Sequence, residues 1–474
     1  MLLFSDDSVT RPGYCVGLAT LDEELSIESL PVEGEIPAWL TGALIRNGPA
    51  RFEVGGRSLR HWFDGLAMLH RFSFGEGRVA YANRFLRGLA HREAARGRTP
   101  YRGFGTDPRS SVLHRLAPML RPLTDNCNVN LTRLGDDYLA LSEAPLPLVF
   151  DPETLETLGR ARRAPGLHVT SHPHRDRRTG ELVFFATHLG PRCEYRIYSL
   201  DGSSRRRRIA SLRVEEPSYI HSFALTERYV VLVAFPLVVD PLRFALGRRP
   251  FIENYRWRPR RGTRLLVVDR ERGELVSEHQ AAPRFAFHHV NAFERDGELV
   301  VDTVAYEDAS IIDALYLDRL RAAPPPVHGR LLRYRVPIDT AGEVIEERLS
   351  DTPLEFPRID YEARNGRPYR FVYGAGTDDD GGPPDFLDQV VKVDVETGET
   401  RVWFEPGSYP GEPVFVPAPR SGRAEDEGVL LSLVLDTRGP GSYLLVLDAS
   451  TLAELGRARL PRHVPFGFHG QYFA

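Results

Sequence analysis

A short apolar strand that ends in Asp, followed by a few turn residues and a second strand, recurs along this 474-residue chain. Asp and Gly supply the turn chemistry of β-hairpins, and apolar runs of this length are typical of strands. The copies lie about 50 to 70 residues apart, at or above the upper end of the usual spacing of propeller blades. The Asp residues that mark the copies are Asp151, Asp201, Asp269, Asp339, Asp394 and Asp448.

This repeat indicates an all-β fold. Unrelated hairpins of a β-sandwich are the alternative, but a sandwich of this length would be unusual. We therefore expect a single β-propeller domain over residues 1–474, with about six to eight blades. In a propeller the inner strands of several blades converge on one axis, so residues that are remote in sequence can meet there.

Two apolar insertions interrupt the hairpin pattern, near residues 104–123 and 235–257. The first has apolar residues at helical spacing between Ser110 and Arg121, and the second combines two apolar runs with arginines. One interpretation is a helical and loop lid over one face of the propeller. The other is a patch that dips into a membrane around a hydrophobic entrance. The sequence leaves both open.

Composition is that of a soluble globular protein with an ample core, at 42% hydrophobic and 27% charged residues. The formal net charge of −4 provides no global attraction for nucleic acid, so we expect no nucleic-acid partner. The arginine run 205–208 follows a turn signal, which favours a solvated strand over a phosphate-binding patch.

The cysteines suggest a reducing compartment. Cys15, Cys127 and Cys193 are widely separated and form neither a disulfide framework nor a CxxC motif. The first residues turn acidic too early for a signal peptide, and no apolar stretch approaches the roughly 20 residues of a spanning helix. We expect a cytoplasmic protein that is either free or attached to a membrane from one side.

Four histidines stand in separate apolar settings spread over nearly three hundred residues. Imidazole is a favoured ligand of iron, copper and zinc, and ligands so far apart need a closed scaffold to meet. Ordinary, partly buried histidines are the alternative, because the chain holds 15 of them. The four are His172, His221, His288 and His469.

The chain resembles the carotenoid cleavage oxygenase family, which includes the visual-cycle isomerohydrolase. The resemblance begins in residues 42–49 (GALIRNGP) and 61–65 (HWFDG), continues through 128–130 (NVN) and the four histidine segments, and covers nearly the whole chain. It implies a seven-bladed propeller with a non-haem Fe(II) on its axis, held by four histidines and no carboxylate. Position by position, the implied ligands are His172, His221, His288 and His469.

The resemblance also selects between neighbouring histidines. Only one of His288 and His289 can face the axis, because side chains alternate along a strand. The family pattern Phe-His-x-x-Asn selects His288. The family motif places the other ligand before a proline, which selects His172 over His174.

The family further uses three glutamates that accept the second ring N–H of the ligands and fix their tautomer. The matching positions here are Glu143, Glu412 and Glu454. Each lies between apolar residues, where an unpaired carboxylate would be costly. The solvated face of a strand is the alternative place for such a residue, above all for Glu454.

The reaction typical of the family inserts both atoms of O2 across a conjugated C=C bond and gives two carbonyl products. We therefore expect an Fe(II) dioxygenase that cleaves a carotenoid or apocarotenoid, a hydrophobic polyene, within an aromatic tunnel. These aromatic side chains could equally belong to the core. The tunnel residues implied by the motifs are Phe104, Tyr219, Phe287, Tyr306 and Phe468.

Other functions remain as alternatives. Stilbene-cleaving relatives use a lysine with a tyrosine, but Lys392 is the only lysine here and lies far from the matching segment. Isomerohydrolysis of a retinyl ester is less favoured, because residues 106–110 lack the cysteine of strongly membrane-docked relatives. Outside the family, the alternatives are a metal-free propeller binding module and a calcium-dependent propeller hydrolase, which would need oxygen ligands.

Overall fold

The repeated Asp hairpins connect the third strand of a β-sheet, counted from its inner edge, to the fourth strand. Asp269 ends the strand Thr263–Asp269, and its Oδ1 accepts hydrogen bonds from the backbone N–H groups of Glu271 and Arg272, both at 2.9 Å. The chain then reverses into the strand Glu274–Ala281. An Asp side chain that bonds the backbone two and three residues on favours such a turn, which explains the recurrence of Asp at this position.

The computed structural model describes residues 12–99, 101–107, 123–162, 164, 166–246, 249–339, 342–379, 385–439 and 441–474. These residues form seven sheets of four to six strands, and the predicted β-propeller is confirmed with seven blades. All six Asp hairpins fall in blades 2 to 7, one to a blade.

The strands of each blade are as follows. Blade 1 comprises Ser26–Ile27, Gly42–Arg51, Leu66–Gly75, Arg78–Phe85 and Gly470–Phe473; blade 2 Asn130–Leu134, Asp137–Leu141, Leu148–Phe150 and Thr157–Arg160; blade 3 His168–Val169, His174–Arg175, Leu182–His188, Cys193–Leu200 and Arg206–Val214; blade 4 Ala224–Leu225, Tyr229–Ala234, Thr263–Asp269 and Glu274–Ala281. Blade 5 comprises His289–Arg295, Glu298–Ala305, Arg330–Pro337 and Ile345–Arg348; blade 6 Leu354–Arg358, Phe371–Gly376, Gln389–Asp394 and Thr400–Phe404; blade 7 Val32–Gly34, Ser408–Pro410, Val414–Pro417, Gly428–Asp436, Ser442–Asp448 and Glu454–Arg459.

Short helices and two small hairpins lie outside the blades. The α-helices are Leu89–Ala95, Pro241–Leu246, Ser310–Ala314, Leu317–Leu320 and Tyr361–Arg364, and the 3-10 helices are Gly13–Leu18, Trp62–Asp64, Ile252–Asn254 and Pro259–Arg261. The hairpins pair Glu53–Val54 with Arg57–Ser58 and Leu237–Val239 with Tyr255–Trp257.

Early and late segments of the chain close the ring of blades. The strand Gly470–Phe473 pairs with Gly42–Arg51 and completes the inner edge of blade 1. In the adjacent blade 7, the strand Val32–Gly34 pairs with Glu454–Arg459 at the outer edge. Main-chain hydrogen bonds between these strands, which are remote in sequence, hold the start of Gly470–Phe473 in place. They thereby fix the preceding residue, His469, at the axis.

Apolar side chains fill the space between neighbouring blades. Between blades 3 and 4, Phe185 and Ile197 pack with Leu232 and Val268, and all four are almost completely buried. Burial of such side chains contributes roughly 1.5–3 kcal/mol each, and sheets that pack face to face interdigitate in this way. The packed blades therefore form a rigid support for side chains on the inner strands.

The apolar insertion at 235–257 forms a lid. It leaves blade 4 after the strand Tyr229–Ala234 and contains the hairpin Leu237–Val239 with Tyr255–Trp257 and the helix Pro241–Leu246. Its Phe244 is buried, whereas Leu242 is 68% exposed. We call residues 235–257 the lid below.

The predicted apolar stretch between Ser110 and Arg121 lies outside the described residues, so its expected role stays a prediction. Among the helices that the structure describes, none combines the length and the apolar character needed to cross a membrane.

Candidate metal centre

Four histidines meet where inner strands of four blades begin. His288 and His469 directly precede the inner strands of blades 5 and 1, and His221 lies shortly before that of blade 4. His172 lies between the two short inner strands of blade 3. One ring nitrogen of each lies within 4.8 Å of the others, so the structure brings together all four predicted ligands.

The nitrogen geometry fits a single metal ion. Nε2 of His172 lies 3.0 Å from Nε2 of His221, and Nε2 of His288 lies 3.1 Å from Nε2 of His469. Two nitrogens at right angles around one metal at about 2.1 Å would be about 3 Å apart. The four imidazoles are therefore spaced as ligands of one ion.

Neighbouring histidines face other partners. Nδ1 of His174 lies 3.0 Å from the hydroxyl of Tyr361, and its Nε2 lies 2.9 Å from the carbonyl oxygen of Phe223. Nδ1 of His289 lies 2.8 Å from Oγ of Ser222. Neither belongs to the four-histidine group.

Three of the four imidazoles bond a carboxylate through Nδ1, and we call them the carboxylate-bonded histidines. His221 donates to Glu143 at 2.6 Å and His288 to Glu355 at 2.6 Å. His469 donates to Glu412 at 2.8 Å. A neutral imidazole has one N–H, so each of these Nε2 atoms carries a lone pair. In His288 and His469 two lone pairs thus face each other at 3.1 Å, an arrangement that a cation between them would stabilise.

The prediction for Glu454 is wrong, and Glu355 holds the third carboxylate position. Glu454 begins the strand Glu454–Arg459, the fourth strand of blade 7 counted from the axis, and forms an ion pair of 2.6 Å with Arg457. Glu355 lies in the inner strand Leu354–Arg358 of blade 6, where the register shifts between Glu355 and Arg358. Such a bulge redirects a side chain, which explains why simple alternation does not predict this contact.

Neighbouring histidines keep two of these buried carboxylates ionised. Burial alone would raise the pKa of Glu143, but His168 and His221 outweigh it and lower that pKa to about 2. The Tyr219 hydroxyl also donates to Glu143 at 2.8 Å. In the same way, His288 outweighs burial and lowers the pKa of Glu355, which accepts a further bond of 2.9 Å from the Tyr306 hydroxyl.

Glu412 is stabilised by arginines instead. Arg46 donates to its Oε2 at 2.6 Å, and Arg358 lies 3.8 Å from its Oε1. Against the cost of burial, Arg358, His469 and Arg46 hold the pKa of Glu412 well below its usual range. The backbone N–H of Gly470 adds a bond of 2.8 Å, and a Cβ at this glycine would approach Cδ of Arg46 to 2.5 Å. Glycine is required here by close packing.

Burial favours the neutral form of His172, His221 and His469. It lowers the pKa of His221 and lowers that of His469 to about 4. The pKa of His172 lies well below its usual value because of burial and the neighbouring imidazoles. Neutral imidazoles are the form that binds metals, so the centre is ready to take an ion near neutral pH.

His172 differs from the other three. Its Nδ1 lies 3.4 Å from the amide nitrogen of Asn130, and no carboxylate among the described residues bonds to it. It is also only partly buried, whereas the carboxylate-bonded histidines are buried. The three carboxylates come from blades 2, 6 and 7 and the four histidines from blades 1, 3, 4 and 5, so every blade contributes one residue.

An apolar cavity of about 940 Å³ opens beside the centre. The three carboxylate-bonded histidines line it and His172 does not. Phe244 and Phe251 of the lid contribute to the lining, as does the exposed Leu242. The cavity therefore reaches from the edge of the lid to the metal-binding nitrogens, with the size typical of a ligand pocket.

The aromatic residues expected to line the tunnel divide into two groups. Phe104, Phe287, Tyr306 and Phe468 line the cavity. Tyr219 is not among its lining residues, and its hydroxyl bonds Glu143. The wall position expected for Tyr219 is thus wrong, because its side chain lies on the same side of the extended chain as His221 and reaches the carboxylate behind that ligand.

Sequence reasoning missed several aromatic residues at the site. Trp62, Phe63 and Phe356 line the cavity. Phe356 has φ of 54°, and its N–H donates to Oε2 of Glu355 at 2.8 Å. A bulky residue with φ above zero is uncommon and is held there by its surroundings. The apolar neighbours of Glu355 in Leu354-Glu355-Phe356 were the signal that could have identified this carboxylate.

Fold and site together define a seven-bladed propeller with a four-histidine metal-binding centre on an apolar cavity. The family model described as retinal pigment epithelial membrane protein (RPE65) matches residues 18–474. The carotenoid isomerooxygenase of Galleria mellonella is 35% identical, over 96% of this chain and 96% of that protein. The β,β-carotene 15,15'-dioxygenase of Gallus gallus is 31% identical, over 93% and 94% respectively.

Solved structures show the same relationship. A variant of the apocarotenoid oxygenase of Synechocystis is 30% identical, with a TM-score of 0.87 over 97% of this chain and 98% of that chain. A cobalt-substituted form of that oxygenase is 29% identical, with the same TM-score and coverage. The chain therefore belongs to the RPE65/carotenoid oxygenase family and is an oxygenase enzyme.

Proposed function

We propose that the protein is a ferrous dioxygenase that cleaves a conjugated C=C bond of a carotenoid or apocarotenoid into two carbonyl products. The observation that carries the proposal is the set of four neutral imidazoles, with no carboxylate among them, beside an apolar cavity. The related oxygenase that is described as cobalt-substituted supports a divalent metal at such a centre.

Ferrous iron bound to the four Nε2 atoms would supply the activation of O2 and the transfer of its oxygen atoms to the double bond. The protein supplies the rest. Neutral imidazoles do not compensate the charge of a divalent ion. Glu143, Glu355 and Glu412, which bond the Nδ1 atoms of the ligands, balance that charge and also fix the orientations of the rings.

The aromatic lining positions the substrate. The ring of Phe63 contacts those of Phe104, Phe287 and Phe468, with centroids 5.0 to 5.7 Å apart, and all four line the cavity. These rings exclude water and offer flat, apolar surfaces to an extended polyene. The depth to which a polyene can enter then selects the bond that reaches the metal.

The names of the relatives favour a carotenoid substrate over a stilbene. They are a carotenoid isomerooxygenase, a β,β-carotene dioxygenase and an apocarotenoid oxygenase. Lys392 is not among the residues that line the cavity; its Nζ donates to Asp426 at 2.6 Å and to the carbonyl oxygen of Ser450 at 2.8 Å. Lys392 therefore does not take the place of the lysine that stilbene-cleaving relatives use to engage the substrate.

The test is turnover of defined substrates. Protein loaded with ferrous iron should be incubated under labelled O2 with β-carotene, an apocarotenal and resveratrol, and the products analysed by mass spectrometry. We expect labelled carbonyl fragments from a polyene and none from resveratrol. Exclusive cleavage of resveratrol would overturn the choice of substrate, and turnover without iron would overturn the choice of metal.

Peripheral membrane association through the edge of the lid is part of the proposal, as is a cytoplasmic location. The supporting feature is Leu242, which is exposed beside Arg243 and also lines the cavity, so the opening lies next to an apolar and basic edge. Flotation with anionic liposomes tests it. We expect the wild-type protein to float and the Leu242→Ser variant to float less, whereas equal behaviour of the two would contradict it.

A further inference from the structure

The three carboxylates behind the ligands differ in their charged partners. Among the described residues, no arginine or lysine forms an ion pair with Glu143 or Glu355, and each of these carboxylates accepts from a tyrosine hydroxyl instead. Glu412 has two cationic neighbours, Arg46 at 2.6 Å and Arg358 at 3.8 Å. The third carboxylate position is therefore the one at which positive charge offsets the carboxylate.

The same two arginines hold the backbone on both sides of His469. Arg46, from blade 1, donates to the carbonyl oxygen of Phe468 at 3.0 Å. Arg358, from blade 6, donates to the carbonyl oxygen of Gly470 at 2.8 Å. Both guanidinium groups are thus fixed relative to this ligand as well as to its carboxylate, so their charges have defined positions beside the metal centre.

These guanidinium groups change the total charge around the metal centre. Arginine is not deprotonated in proteins, and Arg46 is only 2% exposed. The carboxylates of Glu143, Glu355 and Glu412 alone carry three negative charges, which would match the three positive charges of a ferric ion. Arg46 and Arg358 reduce this total to one negative charge. A ferric ion then leaves a larger uncompensated charge than a ferrous ion does, and net charge is costly in a buried centre.

We propose that Arg46 and Arg358 are positioning residues that keep the bound iron ferrous, because they offset the charge of Glu412 behind His469. The inference rests on the proposed function, since it takes iron as the metal. A carboxylate makes the imidazole that it bonds a stronger donor to the metal, and the arginines weaken this effect at His469. Neither arginine lines the cavity, so each acts through Glu412 and the ligand and not on the substrate.

The midpoint potential of the bound iron tests this role without turnover. It is measured by redox titration of the iron-loaded protein in the absence of substrate, with the electron paramagnetic resonance signal of the ferric form as the readout. Arg46→Gln removes the charge but keeps a hydrogen-bond donor for Glu412. We expect it to shift the equilibrium towards ferric iron by roughly 10-fold, which lowers the potential by about 59 mV for one electron.

Four further variants separate charge from structure. Arg46→Lys keeps the charge and should keep most of the wild-type potential, whereas Glu355→Gln removes a negative charge and should raise it. Arg358→Gln should lower the potential as Arg46→Gln does, and its side chain is 21% exposed, so it is the variant to use if Arg46→Gln does not fold. Arg333→Gln is the matched control, since Arg333 bonds the buried Asp302 between the second and third strands of blade 5. It should leave the potential unchanged.

The outcomes distinguish the inference from the proposed function. If the wild-type protein binds no iron, the proposed function fails. If it binds iron but Arg46→Gln or Arg358→Gln leaves the potential unchanged or raises it, the inference alone is wrong. An equal fall in Arg46→Lys would mean that the shape of the guanidinium matters and not its charge. An equal fall in Arg333→Gln would mean that loss of any buried arginine has this effect, and either result overturns the inference.

Discussion

The carboxylate-bonded histidines and His172 are two different regions of one metal centre. His221, His288 and His469 are buried, line the cavity and each bond a glutamate, whereas His172 is partly exposed, does not line the cavity and faces the Asn130 amide. Seven blades that contribute one residue each can supply four ligands and only three carboxylates. The propeller therefore places its carboxylates behind the ligands that face the substrate.

Removal of a carboxylate-bonded ligand has the largest expected effect. We expect His288→Ala to lose bound iron and to reduce cleavage below detection, because the lone pair on its Nε2 has no substitute. His289→Ala is the matched control, since the adjacent imidazole bonds Ser222 and lies outside the group. Iron content per chain and product formation are the measurements. Equal iron content in the two variants would contradict the assignment.

Loss of a carboxylate should cost less than loss of a ligand. Glu355→Gln keeps the shape of the side chain but weakens the bond to His288, so metal affinity or activity should fall by roughly 10- to 100-fold. Glu454→Gln is the control and should leave both unchanged, because Glu454 pairs with Arg457 at the rim. Competition with a chelator measures the affinity. A larger effect at Glu454 would restore the assignment that the structure overturns.

Acid should destabilise the metal-free protein through its buried imidazoles. Burial lowers the pKa of His61 to about 3 and that of His469 to about 4. Below about pH 6.5, the unfolded chain therefore binds protons at these histidines, whereas the folded chain does not. Stability should therefore fall as the pH drops from about 6.5 towards 4, by roughly 1 kcal/mol per unit for each such group. Below about pH 4.5, the lowered pKa of Glu143, about 2, adds a further loss.

Thermal unfolding followed by circular dichroism between pH 7 and 4 checks this dependence. Bound metal stabilises the folded chain but holds its ligands deprotonated, so the iron-loaded protein should be more stable at each pH and should lose at least as much stability as the pH falls. A melting temperature that does not change with pH in the metal-free protein would contradict neutral, buried imidazoles.

The smallest expected effect comes from the tyrosines that bond the carboxylates. Tyr306→Phe removes one hydrogen bond from Glu355 and should weaken metal binding by roughly 3- to 10-fold. Tyr219→Phe should do the same through Glu143. Tyr316→Phe is a suitable control, since its hydroxyl bonds Glu253 at 3.2 Å, outside the centre. An effect as large as that of Glu355→Gln would mean that tyrosine and carboxylate act as one unit.

Residues fixed by local strand patterns could be predicted from the sequence. The Asp hairpins predict the blades, because the turn chemistry is local and repeats. The histidine segments resemble family motifs of several residues, and the structure brings their imidazoles together. Glu143 and Glu412 follow from the same motifs and lie within 2.6 and 2.8 Å of their imidazoles.

The errors concern side chains whose direction depends on the blade. Glu454 and Glu355 both lie between apolar residues, but Glu454 follows the Asp448 turn and so begins the fourth strand of its blade, away from the axis. That hairpin position, with Arg457 three residues on, could have excluded Glu454 from the axis. Glu355 needs the bulge in its inner strand to reach His288, and no sequence period encodes that shift.

The four-histidine centre is tested most sharply by a crystal structure of the ferrous protein with anomalous diffraction at the iron edge. We predict a single iron peak per chain at about 2.1 Å from Nε2 of His172, His221, His288 and His469, with Glu143, Glu355 and Glu412 bonded only to Nδ1 atoms. An iron peak elsewhere, or a carboxylate oxygen bound directly to the metal, would contradict a centre made of four neutral imidazoles.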